Sequence, residues 1–349
     1  MGSQQNAPLP DGLLVSDYRI VRKIASGGFS IVYLADDAQG NRFAIKEYMP
    51  STLVKRVAGE LAPRVPPEHL SVFRNGLKCF FEEGRTLAQI FHPNVVRVVN
   101  FFRANDTVYM VMTFEQGRSL QEIVLKNRGK TAGLVLPERH VLRLFTLVMN
   151  GLREVHANRL LHLDLKPANI FVRMDGSPLL LDFGAARKIL DSVGGKIFPM
   201  YTPGFAAPEL YRRQPQLGPW TDIYSLGATM YACMTGAPPQ PADQRELDDR
   251  MPANIAKLRG YYSHPIVDVL DWCLKLNSME RPQSVFALQR ALRNIVVQTD
   301  TLKASTSGRW FDTLIGRFSG RRAEAKANAR KQDASKMKAA DKALKAETT

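Results

Sequence analysis

The residues of this chain best suited to chemistry lie in LLHLDLKPANIFV, Leu160 to Val172, where His162, Asp164, Lys166 and Asn169 stand at H-x-D-x-K-x-x-N spacing. Thirteen positions after Asn169, the string LLLDFGAA puts Asp182 at the end of an apolar run, ahead of Phe183 and of Gly184, which lets the chain turn. Asp164, Asn169 and Asp182 bring carboxylate and amide oxygens together. Such a set suits phosphoryl transfer from a nucleotide. Mg²⁺ takes hard oxygen ligands, one or two carboxylates plus phosphate oxygens, and a separate carboxylate must orient the attacking hydroxyl.

The flanking elements must hold those groups in place. From Tyr18, YRIVRKIASGGFSIVYLADDAQGNRFAIKEY gives three β-rich runs and predicts an antiparallel meander. The first run ends at Gly27-Gly28, and a turn at 36–41 joins the other two. A stretch containing Pro50, Pro63, Pro66 and Pro67 reads as an irregular insertion over about 49–70. SVFRNGLKCFFEEGRTLAQIF has helical spacing through Phe73, Leu77, Phe80 or Phe81, and Leu87. VVRVVNFFRANDTVYMVMTF gives two more strands about a turn at Asn105 and Asp106. Beyond about residue 115 the periodicity is helical, with Leu144, Leu147, Val148, Leu152 and Val155 on one face. DIYSLGATMYACM, from Asp222, is apolar nearly all round and predicts a buried central helix. A small sheet-rich lobe followed by a larger helical lobe is an α+β arrangement.

These motifs and their order resemble the protein kinase family, and within it bacterial serine/threonine kinases of the eukaryotic type. The two opening motifs match the family's catalytic loop and D-F-G. FAIK supplies Lys46 on the third strand, and EEGRTLA, ahead of HPNVV, supplies Glu83, with Glu82 as the alternative. IASGGFSIVY places a Gly-rich turn before the lysine, nineteen positions separating Gly27 from Lys46. Ala207-Pro208-Glu209 matches A-P-E, and Arg281 in ERPQS looks like the partner of Glu209. D-x-Y-S-x-G at Asp222–Gly227 resembles the start of the large buried helix, whose Asp anchors the catalytic loop. The resemblance covers about residues 18 to 298. It implies a bilobal protein kinase fold, with an N-lobe at 18–113 that includes a regulatory helix and a helical C-lobe at 114–298. A flexible arm, 1–17, and a basic tail, 299–349, partly helical or disordered, would flank it.

What the resemblance implies for the site follows residue by residue. ATP and Mg²⁺ would be the cofactors, with Mn²⁺ as a substitute ion, and protein Ser/Thr hydroxyls the acceptors. Asp164 would be the catalytic base, Lys166 would neutralise the transferring phosphate, and Asn169 and Asp182 would hold the metal. Lys46 would neutralise the α- and β-phosphates and be held by Glu83. Ala25, Ser26, Gly27, Gly28, Phe29 and Ser30 would lie over the phosphates. Val32, Ala44 and Met112 would line the nucleotide, and Thr113, Phe114 and Glu115 would form the hinge that reads adenine. Thr202, in YTPGF, would contact the catalytic Asp, and with L-K-P-x-N it points to Ser/Thr acceptors. The alternative class is a nucleotide-binding pseudokinase scaffold, which usually lacks the lysine, the base or a metal ligand; none is missing here. Two departures stand out. Ala25 and Ser30 replace glycines of the phosphate loop, narrowing its backbone. Leu163 replaces the arginine that an activation-loop phosphate would pair with. The implied enzyme does not need activation-loop phosphorylation, a reading consistent with a loop holding only Ser192 and Tyr201 as hydroxyls between Gly184 and Thr202.

Bulk properties narrow the setting. The chain has 349 residues, 45% hydrophobic and 23% charged, proportions of a globular protein. No apolar run reaches the about 18 residues of a spanning helix. MGSQQNAPLPDG lacks the layout of a secretory signal, and Asn6 stands where a myristoylation signal wants Ser or Thr. Cys79, Cys233 and Cys273 are far apart in apolar stretches and read as buried thiols. A cytoplasmic location follows. The net charge of +15 is uneven: residues 301–349 carry 12 Lys and Arg against 5 Asp and Glu. That tail reads as a solvated extension, or as an amphipathic basic helix at 309–322 contacting an anionic membrane or a partner. A nucleic-acid partner is not expected, because the chain has no reading module for one.

Overall fold

Strand alternation builds the small lobe. In the computed structural model, which describes residues 6–129, 135–183, 201–212 and 215–300, six strands form one antiparallel sheet. They are β1 (Leu14–Val15), β2 (Tyr18–Ser26), β3 (Ser30–Asp36), β4 (Arg42–Tyr48), β5 (Val98–Ala104) and β6 (Thr107–Thr113), in spatial order β1-β2-β3-β4-β6-β5. The turn between β5 and β6 is Asn105-Asp106, both at positive φ (48° and 55°), the backbone that a tight two-residue hairpin needs and that Asn and Asp tolerate. Register sorts the side chains. Val32 faces Lys46 and Lys46 faces Met110, so these share one side of the sheet with Ala44 and Met112. Ile31, Glu47 and Tyr109 share the other.

The first side receives α1 (Leu70–Ala88), whose buried stripe of Phe73, Phe80, Glu83 and Leu87 lies on the sheet. Tyr48 packs its ring 5.5 Å from both Phe73 and Phe80. Gly84 allows the helix to approach, since a Cβ there would stand 3.1 Å from Met110 Cε.

The second side differs from expectation. Residues 6–17, read as a flexible arm, are docked. Leu14 and Val15 pair with β2, and Leu9 is only 1% exposed. The insertion is likewise ordered: Lys55 and Arg64 exchange backbone hydrogen bonds of 3.0 and 2.8 Å, and a short turn at Pro67–His69 leads into α1. Both segments close over Glu47, which is completely buried and ion-paired at 2.6 Å with Arg56. An unpaired carboxylate there would be prohibitively costly, so the sheet's outer face selects a covering that carries a cation.

The large lobe holds α2 (Leu120–Asn127), α3 (Glu138–Ala157), α4 (Pro219–Thr235), α5 (Ala242–Arg245), α6 (Met251–Lys257), α7 (His264–Cys273) and α8 (Val285–Asp300). A second sheet of β7 (Gly117–Ser119), β8 (Ile170–Arg173) and β9 (Pro178–Leu180) joins them. Helix α4 is buried continuously from Thr221 to Met234, as its all-round apolar sequence predicts. Cys233 and Cys273 are buried, and Cys79 is half-buried. Among the described residues no helix is long and apolar enough to cross a membrane. The chain divides into units at 1–304 and 305–349. The second unit, with the basic helix expected at 309–322, lies outside the described residues, as does 184–200.

One buried group makes the fold pH-sensitive. Burial, aided by Arg139 and Arg143, pulls His140 on α3 from its ordinary value of 6.5 to about 4. A folded-state value below the unfolded one means that stability is complete above about pH 6.5. It is lost as pH falls toward 4, because the unfolded chain takes up the proton first. The midpoint of urea unfolding is expected to fall between pH 7 and pH 4.5, and less steeply in His140→Gln. Equal slopes in the two proteins would refute this.

Candidate active site

Helix α4 fixes the loop that carries Asp164. Leu163 has φ 61°, a left-handed backbone costing a side chain with a Cβ about 1–2 kcal/mol. Asp222, completely buried at the start of α4, holds it there. Its Oδ1 accepts from the Leu163 N–H at 2.8 Å and its Oδ2 from the His162 N–H at 2.8 Å. His156 of α3 reaches the same Oδ2 through Nε2 at 2.8 Å. The odd residue of the motif thus contributes backbone geometry that does not depend on its side chain. His162 is itself buried against the Phe183 ring, centroids 4.5 Å apart. Burial lowers its pKa, against the pull of Asp222, Asp164 and Asp182.

The expected groups converge above this support. Lys166 Nζ lies 3.1 Å from Asp164 and donates to Thr202 Oγ1 at 2.8 Å. Thr202 Oγ1 lies 3.2 Å from Asp164 Oδ1. The Asn169 amide donates to Asp164 Oδ2 at 2.7 Å and to the Asp164 carbonyl at 2.8 Å. Its NH₂ is therefore engaged with Asp164, which leaves the amide oxygen as its cation-binding end. The Leu181 N–H donates to the Asn169 carbonyl at 2.9 Å, tying the loop to the strand before Asp182. Asp182 takes φ 52°, tolerable for Asp, and its Oδ1 stands 2.9 Å from Lys46 Nζ. Lys46 lies 5.5 Å from the Phe80 ring, and Glu83 sits 3% exposed on the same buried stripe of α1.

The donor set fits a hard divalent cation that keeps most of its ligands from phosphate and water. It offers one carboxylate, Asp182, and one amide oxygen, Asn169. Among the described residues no cluster of three or more His, Cys, Asp or Glu could hold an ion without such help.

The remaining expected residues take the following places in the fold. The turn from Ala25 to Ser30 closes with a Gly27 N–H to Ser30 carbonyl bond of 2.9 Å. A Cβ on Gly28 would meet no atom within 4 Å, so space beside that backbone is open to a ligand. Val32, Ala44 and Met112 share the Lys46 side of the sheet. Beyond them, the Thr113 N–H donates to the Arg97 carbonyl at 3.1 Å, Phe114 follows, and Glu115 pairs with Arg173 at 3.1 Å. Glu209 and Arg281 meet in a two-pronged pair of 2.9 and 3.0 Å, and Thr221 Oγ1 donates to Glu209 at 2.8 Å. With Thr221, this pair anchors the 207–209 segment to α4. Reasoning from sequence missed the support of His156, and it missed Glu47 and Arg56 behind the sheet; an ordinary-looking charge in a loop carries no local signal of burial.

Replacing Asp222 by Asn removes one of the two acceptors that hold the 162–163 backbone and presents a buried NH₂ to a buried N–H. Asp222→Asn is expected to lose about 2–4 kcal/mol in urea denaturation. Wild-type stability would contradict this account.

Comparison with known proteins agrees with this geometry. A protein kinase domain model matches residues 18–292. The chain is 30% identical over 260 residues to serine/threonine-protein kinase PknL of Mycobacterium tuberculosis, covering 72% of this chain and 59% of that protein. It is 26% identical to mouse serine/threonine-protein kinase Nek3, covering 79% of this chain and 49% of that one. Among solved structures, the apo form of PpkA-294 superposes with a TM-score of 0.73 at 33% identity, covering 82% of this chain and 99% of that one. The chain spans about half or less of the length of the curated relatives it matches first.

Proposed function

The chain belongs to the protein kinase family, and we propose that it transfers the γ-phosphate of Mg-ATP to serine or threonine hydroxyls of protein substrates. One observation carries the reading: Asp164, Lys166, Thr202 and Asn169 form a bonded set facing Asp182 and Lys46. In this reading Asp164 orients the acceptor hydroxyl and takes its proton as the new oxygen–phosphorus bond forms, and ADP leaves. Lys166 sits beside that carboxylate and offers charge to the phosphoryl group in transit. Lys46, on the rigid β4, offers charge to the α- and β-phosphates, and buried Glu83 backs that region of the cleft. Mg²⁺, held through Asp182 and Asn169, would neutralise phosphate charge when bound; Mn²⁺ has the same ligand preferences. Val32, Ala44 and Met112 offer an apolar seat for a base, and the 113–115 backbone offers it hydrogen bonds. Thr202 beside Lys166 supports an aliphatic hydroxyl as acceptor.

Transfer of labelled phosphate from ATP to a generic protein substrate, and to the chain itself, tests this. Asp164→Asn is expected to lose at least about 10²-fold. A wild type no better than that variant would overturn the enzyme in favour of a nucleotide-binding scaffold.

Leu163 supports a second element of the proposal. Its backbone is held by Asp222 and its side chain is uncharged, so position 163 offers no cation for an activation-loop phosphate to neutralise. Activity should be independent of phosphorylation on that loop. Ser192→Ala and Tyr201→Phe are expected to keep activity within about threefold, roughly 0.7 kcal/mol in barrier. A collapse in either folded variant would refute it.

A further inference from the structure

The back of the small lobe carries a bonded polar network, on the face of the sheet away from Lys46. All five N–H groups of Arg56 are used. Nε donates to the Ala7 carbonyl at 2.8 Å. Nη1 donates to Glu47 Oε1 at 2.6 Å and to the Leu61 carbonyl at 3.2 Å. Nη2 donates to Glu47 Oε2 at 2.8 Å and to Tyr33 Oη at 2.9 Å. Glu47 also accepts from Tyr33 Oη at 2.7 Å and Tyr109 Oη at 2.9 Å. Burial would pull the Arg56 pKa down, but Glu47 and Tyr33 push it up on balance, so the guanidinium stays charged. The N-terminal segment completes the set: Asn6 Oδ1 accepts from the Arg56 N–H at 2.9 Å, and the Leu9 N–H donates to Tyr33 Oη at 3.0 Å.

This network connects to the Gly-rich turn through a short, bonded stretch. Beyond β4, the Met49 N–H donates to the Phe29 carbonyl at 2.7 Å. Ser51 donates to the Gly28 carbonyl twice, from N–H at 2.9 Å and from Oγ at 3.2 Å. The Leu53 and Val54 N–H groups both turn back to the Pro50 carbonyl, at 2.9 and 3.0 Å, and both side chains are buried. Arg56 follows two residues later. On its other side the turn runs into β2, which pairs with β3 along the backbone up to Ser26 while its side chains at 21–26 are exposed. With Ala25 and Ser30 replacing glycines, the turn has less freedom to adapt to phosphates and depends more on where it is held.

We propose that Arg56 is a positioning residue for the nucleotide: it clamps the N-terminal segment and the insertion onto Glu47, and thereby fixes through Met49 and Ser51 the carbonyls of Gly28 and Phe29. The proposal rests on reading 25–30 as the phosphate turn. Lys46 is adjacent to Glu47 on β4, so the same clamp sets the strand that carries the phosphate-binding cation. Binding of a nucleotide is coupled in this way to a segment that begins outside the kinase-like core. An arginine is required because a lysine cannot serve two carboxylate oxygens, a phenol and two carbonyls at once.

The test uses the full chain and Mg-ATP, with affinity measured by equilibrium titration and amide exchange followed at residues 27–30. Arg56→Met and Ser51→Pro are each expected to weaken Mg-ATP binding about 5- to 20-fold and to speed exchange in the turn, with Arg56→Lys intermediate. Met251→Ala is the control for general destabilisation. It empties a completely buried position on α6 in the large lobe, and it should leave the affinity unchanged. If Arg56→Met does not fold, Ser51→Pro decides, since it removes both donors to Gly28 while keeping the ion pair. Affinity within twofold of wild type in the folded variants, or an equal loss in Met251→Ala, would overturn the clamp. Wild type that binds Mg-ATP without transferring phosphate would overturn the enzyme and leave the clamp standing. Wild type that does not bind Mg-ATP would overturn both.

Discussion

A carboxylate with no exposed surface organises the cleft. Asp222 stands at the first turn of α4 and accepts from two consecutive backbone N–H groups, those of His162 and Leu163. Near a helix N-terminus a negative charge is favoured by the helix dipole, and burial makes each of these bonds strong and each alternative costly. The left-handed backbone at Leu163 follows from that hold, and the direction of Asp164 follows from the backbone. Asn169, Lys166 and Thr202 then take their places by bonding to Asp164. Helix α4, buried from Thr221 to Met234, is in this way continuous with the loop that carries Asp164.

The small lobe solves a related problem on both sides of one strand. Lys46 and Glu47 are neighbours on β4, so alternation sends one charge toward the cleft and the other to the back of the sheet. Each is buried and each has a partner: Asp182 for Lys46, Arg56 for Glu47. The two pairs differ in exposure. The Glu47–Arg56 pair is sealed, with both side chains at 0% exposure, as a permanent structural contact should be. The Lys46–Asp182 pair is more open, with the Asp182 side chain 37% exposed.

The C-lobe ion pair between Glu209 and Arg281 belongs with these. It is buried, two-pronged, and braced by Thr221, next to Asp222. Arg281 also lies over the Tyr224 ring at 4.9 Å. The loop bearing Asp164 and the 207–209 segment are thus both fastened to the first turn of α4.

What the sequence determined by itself was whatever depends on spacing. H-x-D-x-K-x-x-N and D-F-G were legible because strand period and turn length place their side chains locally, and Lys46 and the Glu209–Arg281 pair, 72 residues apart, because the ordered motifs resemble a known family. The α+β division and the buried character of α4 were legible for the same reason, as periodicity. What only the tertiary structure decided was contact between segments with no common period. The 6–17 arm reads as polar and Pro-containing, and its docking depends on Arg56, 49 or 50 residues away, and on Tyr33. The insertion reads as irregular because its backbone follows no repeat; its order comes from the buried Glu47–Arg56 pair, the Lys55–Arg64 backbone bonds and buried Leu53 and Val54, and a charge in a loop reads as solvated until something is seen to cover it. The left-handed conformation of Leu163 belongs here too, since no local preference of leucine favours it, and it exists because Asp222, 59 residues on, accepts its N–H.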